Sequence, residues 1–555
     1  MIQNGSKARL ELILITILAL ALWLPRGLAL DRYVTADEPK WLARSGNFYL
    51  ALSTGDLAGT FTREHPGVTI TWLGAIALML QYPAYVKDAP GRLDNASEIE
   101  PVLREHGVQP LDILQTGRFL VVFVITIVLL LSFVEARRLI GLWPAFIGFM
   151  LVALDPFFVG LTRLLHLDGL ASSLMLLSIL GYLAYLYRGR KAGDLLISGV
   201  AAGLAWLTKS PAFFLAPFLG LLALLDLLRT WAEQGRLNLG DLWREARPLL
   251  AWAGLGWLVF VVLWPSMWVK PVSTLSRIFA EATTYAEEGH TTDIFFNGSI
   301  IAGDPGKRFY PLVYLWRTSP VILLGLALAG IWFFGSLRSS RGGLLRWVAM
   351  TLVLFAALFS IFMTLGSKKF DRYLLPIFAP LDVVAGIGWY AAGRWLASLR
   401  RPGLGRFALP ALAILAIGWQ ASGTIRTSPY YLSYYDPVMG GSQKAPEVMM
   451  IGWGEGLDQA ARYLNEKPGA SSLKVMSWYP DGVFSYIFEG ETLGAEPEWE
   501  DTQATFFGSD YVVTYVHQWQ RDLPFPEMLD YLRTQKPERV ITINGIEYAQ
   551  IYKIH

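Results

Sequence analysis

Eleven apolar runs, each long enough to cross roughly 30 Å of hydrocarbon as a helix, constrain this chain more than any other feature. They fall at approximately 10–29, 117–138, 143–161, 168–187, 193–209, 211–228, 248–268, 318–336, 345–365, 373–392 and 407–424. A backbone in lipid must satisfy its own hydrogen bonds, so such runs lead to a bundle of helices. Only 17% of the residues are charged, where a soluble chain would carry about a quarter. The abundant Trp, Tyr and Phe suit aromatic belts at two membrane interfaces. The expectation is an all-α polytopic membrane protein with about eleven transmembrane helices.

Charge gives the orientation. Lys7 and Arg9; Arg137 and Arg138; Arg188, Arg190 and Lys191; Arg229, Arg236, Arg244 and Arg247; Arg338, Arg341 and Arg346; and Arg394, Arg400, Arg401 and Arg406 occupy every second loop. This parity is the positive-inside pattern, and a miscounted span would break it. It predicts a cytoplasmic N-terminus, with loops 30–116, 162–167, 269–317 and 366–372 and the tail outside, at the plasma membrane. The first run lacks a small-x-small cleavage site at Leu28-Ala29-Leu30 and reads as a retained span, not a signal peptide. A net charge of +2 argues against a nucleic-acid partner. With no Cys in the chain, disulfides, thiolate chemistry and Cys-ligated metals are excluded.

The first outer loop is long. Trp41, Leu42, Ser45, Phe48, Tyr49 and Leu52 fall at helical spacing, predicting an amphipathic helix over 38–53 lying on the membrane. The apolar patch Val68 to Tyr85 reads as a second surface or re-entrant helix. Beyond Tyr435 the composition changes. A helix pattern at 457–464 and strand-like runs at 473–479, 510–516, 538–543 and 547–554 predict a small α/β domain over 445–555, outside the membrane, following a membrane domain over 1–440. Asn544-Gly545 predicts a tight hairpin turn between the last two strands.

Chemistry concentrates on the outer side. Asp37 and Glu38 stand together just past the first span, and Thr35-Ala36-Asp37-Glu38 also fits a capping box for the following helix. A fixed carboxylate there is a candidate base. Glu64 and His65 precede the second apolar patch; they could line a polar site or, with His290, give weak metal ligands. Arg163, His166 and Asp168 crowd one short turn, although Asp168 could simply cap the next helix. Lys209, Lys368, Lys369 and Arg372 lie in the two tightest outer turns, where the positive-inside rule gives no reason for cations. Four in such turns suit an anionic phosphate. Loop 269–317, with His290, reads as a segment covering substrate.

Taken together these motifs resemble the GT-C membrane glycosyltransferases, and most of all glycosyltransferase family 39, the protein O-mannosyltransferases and lipid A aminoarabinose transferases. The likeness rests on Asp37-Glu38, on Arg163 to Asp168, on Leu207-Thr208-Lys209-Ser210-Pro211 and on Lys369-Phe370-Asp371-Arg372-Tyr373-Leu374-Leu375-Pro376. It covers roughly residues 10–440. The resemblance implies a GT-C fold, a polyprenyl-phosphate-linked sugar donor, an acceptor hydroxyl and inversion at the anomeric carbon. It also implies Asp37 as base supported by Glu38, with Lys209, Lys369 and Arg372 neutralising the leaving phosphate. No obligatory cofactor follows, and a divalent cation is compatible. Two departures leave the acceptor open. Glu64-His65-Pro66-Gly67 stands where the aminoarabinose transferases have Glu-Lys-Pro-Pro, and loop 269–317 is too short for the β-trefoil insert of eukaryotic relatives. A lipid-carrier flippase would also want outer cations and many spans, but needs no carboxylate poised in a long outer loop. A scaffold protein binding through the 445–555 domain is the third reading.

Overall fold

A computed structural model describes residues 2–336, 343–399 and 405–555. The apolar runs fall chiefly on helix, but the expected count of eleven spans is corrected. Among the described residues eight helices are long and apolar enough to cross a membrane. A ninth span results if Phe309–Arg317 and Pro320–Gly335, bent by 109°, count as one. The run 143–161 splits into Leu142–Ala153 and Pro156–Leu161. The cause is local: the Asp155 side chain accepts from the Phe158 N–H at 2.6 Å, and Pro156 opens the new helix without an N–H to leave unpaired. The run 193–209 forms Ala192–Thr208, 17 residues and short for a span. The chain is a multi-pass membrane protein.

Contacts bring several of the basic helix ends together. Arg137 pairs with Glu11 at 2.6 Å, Arg138 with Asp194 at 2.6 Å and Arg190 with Glu245 at 3.7 Å. Of the residues in that charge pattern, Arg338, Arg341, Arg400 and Arg401 lie outside the described residues.

The opposite face carries the long first loop. Helix α1 (Ile2–Gly27) leads to α2 (Glu38–Thr54), and α3 (Val68–Gln81) packs against α2. Pro39 sits in the first turn of α2 and Gly55 ends it in the left-handed region at φ 75°, as helix start and stop rules require. Trp41, Leu42, Ser45 and Phe48 are buried, which accounts for the amphipathic pattern. The capping box is realised only in part. Asp37 is the N-cap residue but its side chain makes no capping hydrogen bond. Glu38 reaches back to the Thr35 N–H instead, at 3.0 Å.

The C-terminal region folds around a five-stranded sheet. A hairpin, β1 (His290–Phe296) and β2 (Ser299–Gly303), lies between the membrane helices and this sheet. The sheet strands are β3 (Lys474–Ser477), β4 (Glu491–Leu493), β5 (Tyr511–Tyr515), β6 (Arg539–Ile543) and β7 (Ile546–Lys553), in spatial order β4-β3-β5-β7-β6. β3 is parallel to both β4 and β5, and the remaining pairings are antiparallel. Asn544 and Gly545 both have positive φ between paired Ile543 and Ile546, the turn their identities call for. Strand β4, three residues long, has no counterpart among the runs read from the sequence.

The sheet region sits on the segment that carries the acidic pair. The Ala36 N–H donates to the Trp453 carbonyl at 3.2 Å. Gly454, at φ +125°, approaches so closely that a Cβ would lie 2.0 Å from the Val34 oxygen. Gly482 meets Pro39 in the same way, at 2.5 Å.

Candidate active site

Two cavities meet beside Asp37. The first, about 300 Å³, is lined by Lys40, Arg44, Arg63, Lys209, Lys368 and Arg372 together with His65, His166 and Tyr373. Asp37 is the sole carboxylate among its lining residues. The second, about 370 Å³, lies between the membrane helices and the C-terminal sheet, and its wall also includes Asp37, Lys40, Phe370 and Arg372. Those four residues form the partition.

Asp37 owes its position to the turn before α2. One carboxylate oxygen is 3.2 Å from Arg372 Nη2 and 3.7 Å from His166 Nε2, and the other accepts from Lys40 Nζ at 3.2 Å. Burial pushes its pKa up, but His166 and the Arg372 guanidinium outweigh that effect and hold the carboxyl well below the usual range. It is therefore ionised at neutral pH. His166 Nδ1 is 3.3 Å from Asp168 Oδ2. Burial pulls the ring's pKa down, yet Asp168 and Asp37 raise it above the ordinary histidine value.

Arg372 comes from a 3-10 turn, Asp371–Ile377, that leads into the helix Phe378–Leu399. Its Nε lies 3.6 Å from Asp168 Oδ2, and Asp168 Oδ1 accepts from Lys209 Nζ at 2.5 Å. Lys209 also stands 4.0 Å over the Tyr373 ring, a cation–π contact. Asp168, buried behind the cavity wall, thus orients two of the lining cations. His65 faces the same space. Burial first, then Lys209 and Arg63, lower its pKa to about 3, so it is neutral near pH 7.

Not every residue singled out from the sequence reaches these cavities. Glu38 is fully buried, held by Arg118 at 2.7 and 2.5 Å, by the Thr35 N–H and hydroxyl at 3.0 Å, and by the Leu165 N–H at 3.0 Å. It has no face toward either cavity and fixes the turn beneath Asp37. Lys369 points away and pairs with Asp304 at 2.5 Å. Arg163 donates to the carbonyls of Leu28 and Ala29 at 2.5 and 2.6 Å, clamping the end of the first helix. Glu64 accepts from Arg277 at 2.7 Å. His290 accepts the Lys369 N–H at 3.0 Å, with burial lowering its pKa to about 4. The metal candidates Glu64, His65 and His290 are thus engaged separately, and among the described residues no cluster of three or more His, Asp or Glu could hold an ion.

Sequence reasoning missed several lining residues. Lys40 lies one turn along α2 from Asp37, a spacing that could have exposed it. Arg118, which lines neither cavity but holds Glu38, stands at the start of a long apolar run as a charge in need of a buried partner. Trp453, Trp478, Tyr479, His517 and Arg521 line the second cavity, and nothing in the sequence connects them to Asp37.

Residues 114–240 match the family model described as dolichyl-phosphate-mannose-protein mannosyltransferase. The fold is similar to ArnT from Cupriavidus metallidurans bound to undecaprenyl phosphate, with a TM-score of 0.54, 12% identity and 97% of each chain covered. The apo state of the same protein gives a TM-score of 0.51, again at 12% identity, over 99% of each chain. Part of the S. cerevisiae Pmt1-Pmt2 complex aligns with a TM-score of 0.36 and 18% identity, over 48% of this chain and 34% of that one. No curated protein matches by sequence.

Proposed function

We propose that this chain, a GT-C protein like those of glycosyltransferase family 39, transfers a sugar from a polyprenyl-phosphate donor to an acceptor hydroxyl on the extracytoplasmic face. The observation that carries the reading is the partition: one carboxylate and one guanidinium stand between a cation-lined cavity and a second, separate cavity. The donor phosphate lies in the first, held by Arg372, Lys209 and Lys368 with Arg44 and Arg63 nearby. The acceptor enters from the second. The undecaprenyl phosphate bound by the similar ArnT supports a lipid-phosphate donor, and the basic parity of alternate loops supports the orientation.

Asp37 accepts the proton of the acceptor O–H as that oxygen forms its bond to the anomeric carbon. On the far side the bond from that carbon to the phosphate oxygen breaks, and the electron pair leaves with the lipid phosphate. One displacement inverts the configuration. Fixed cations stabilise the charge that develops on the leaving phosphate. Arg372 serves both halves. Before donor binds it pairs with Asp37 and weakens it as a base; a phosphate that draws the guanidinium away restores that basicity next to the acceptor. Glu38, Arg118 and Asp168 are positioning residues. Since side-chain cations surround the phosphate, chelation of divalent ions is expected to leave the rate unchanged in a transfer assay.

The test is transfer by purified protein in nanodiscs, from lipid-phosphate-linked hexoses and pentoses to peptide, lipid and glycan acceptors. The expected product has the anomeric configuration opposite to the donor, read by NMR. A retained configuration, or movement of the donor across the bilayer with no transfer, would contradict the proposal.

A further inference from the structure

The second cavity is built where the C-terminal sheet changes direction. β3 lies between β4 and β5 and runs parallel to both. The chain leaves β3 for β4 on one side and returns as β5 on the other, so a topological switch point opens beyond the carboxyl ends of β3 and β5. Open α/β sheets take up ligands at that place. Trp478 and Tyr479 directly follow β3, His517 and Arg521 follow β5, and all four line the cavity whose opposite wall holds Asp37.

Its chemistry is specific. Trp478 and Tyr479 are half-buried, leaving ring surface toward the cavity. Arg372 and Arg317, on the membrane side, are paired with Asp37 and Asp371 at 3.2 and 2.7 Å. Arg521 differs. It donates to the carbonyls of Asp293 and His517 at 3.1 and 3.4 Å. Its remaining nitrogen, Nη2, lies 3.4 Å from His517 Nδ1. Among the described residues no carboxylate lies within ion-pair distance of it, although the Asp293 charge acts on it from farther off and Glu455 shares the cavity wall. A guanidinium in that state suits a carboxylate or phosphate.

Resting on the transfer reading above, we propose that the cavity selects an acidic carbohydrate as acceptor. A sugar ring lies against Trp478 and Tyr479, its anionic substituent meets Arg521, and a free hydroxyl points to Asp37. The electron-rich faces of aromatic rings suit the C–H faces of a pyranose. An extended peptide would instead seek an open sheet edge. The edges here are β4 and β6, and neither contributes a residue to the cavity. A volume of about 370 Å³ accommodates a small-molecule ligand.

The test is calorimetric binding to the full chain in nanodiscs, so that it does not depend on turnover. The probes are a galacturonic acid tetrasaccharide, a 6-phosphorylated mannose disaccharide, their neutral counterparts and a glutamate tetrapeptide. At least one acidic sugar is expected to bind more tightly than its neutral counterpart and than the peptide. Arg521→Gln and Trp478→Ala should each weaken that binding about tenfold or more, while donor-lipid binding shows that both variants are folded. Equal affinity for acidic and neutral sugars, preference for the peptide, or indifference to Arg521→Gln would overturn the proposal. Acidic-sugar binding as expected, in a chain that transfers to no acceptor, would overturn the transfer reading and leave this site standing.

Discussion

Glu38 and Asp37 are neighbours in sequence, yet their surroundings assign them to different tasks. Glu38 is saturated by Arg118, Thr35 and Leu165, whereas Asp37 faces two cavities. The sequence alone shows a pair of carboxylates. Only the partner eighty positions away separates them, and one sequence holds no spatial information of that kind. Breaking a buried ion pair from one side strands a charge, at a cost of about 3–5 kcal/mol. Arg118→Met should therefore lower the thermal midpoint markedly in nanodiscs, and an unchanged midpoint would place the pair in contact with water. His166 gives a pH test. Its pKa in the folded chain is raised above the ordinary value, so its stabilisation is fully present below about pH 6.5. That contribution is lost as pH rises through the folded value. The stability gap between the native chain and His166→Gln should shrink as pH is raised from 6 to 9; a gap that widened would contradict the charged ring.

Helices were the legible elements, because an apolar run of twenty residues has few other fates. What blurred their count was local. Asp155-Pro156 sits inside a continuous apolar stretch, and composition outvoted a capping signal that was present in the sequence. The three-residue strand β4 is too short for any periodicity. The cations of the tight turns were conspicuous by their side of the membrane, and Lys209, Lys368 and Arg372 line the first cavity. Lys369, the next residue after Lys368, turns the other way and pairs with Asp304. The junction between the sheet region and the acidic turn depends on Gly454. A Cβ there would lie 2.0 Å from the Val34 oxygen, and φ +125° disfavours any side chain. Gly454→Val is expected to abolish transfer in the nanodisc assay while the protein still inserts and purifies with detergent-stable helices. Full activity in that variant would show that the junction is dispensable.

At the scale of the molecule, the membrane bundle supplies the cations and Asp37, and the C-terminal sheet closes the second cavity. Orientation can be checked directly because the chain contains no Cys. A Cys placed at exposed Asn95 should react with an impermeant maleimide on intact cells, and one at exposed Gln234 should react after lysis only; the reverse would invert the topology. The division of labour across the partition was not readable from sequence, since residues 37, 372 and 453 belong to three distant segments. On this reading Asp37 is the base at this junction. Single-turnover transfer from a lipid-phosphate sugar, measured beside donor binding, is the decisive test. Asp37→Asn should slow transfer by about 100-fold or more with no loss of donor affinity; transfer at the native rate in that variant would rule this role out.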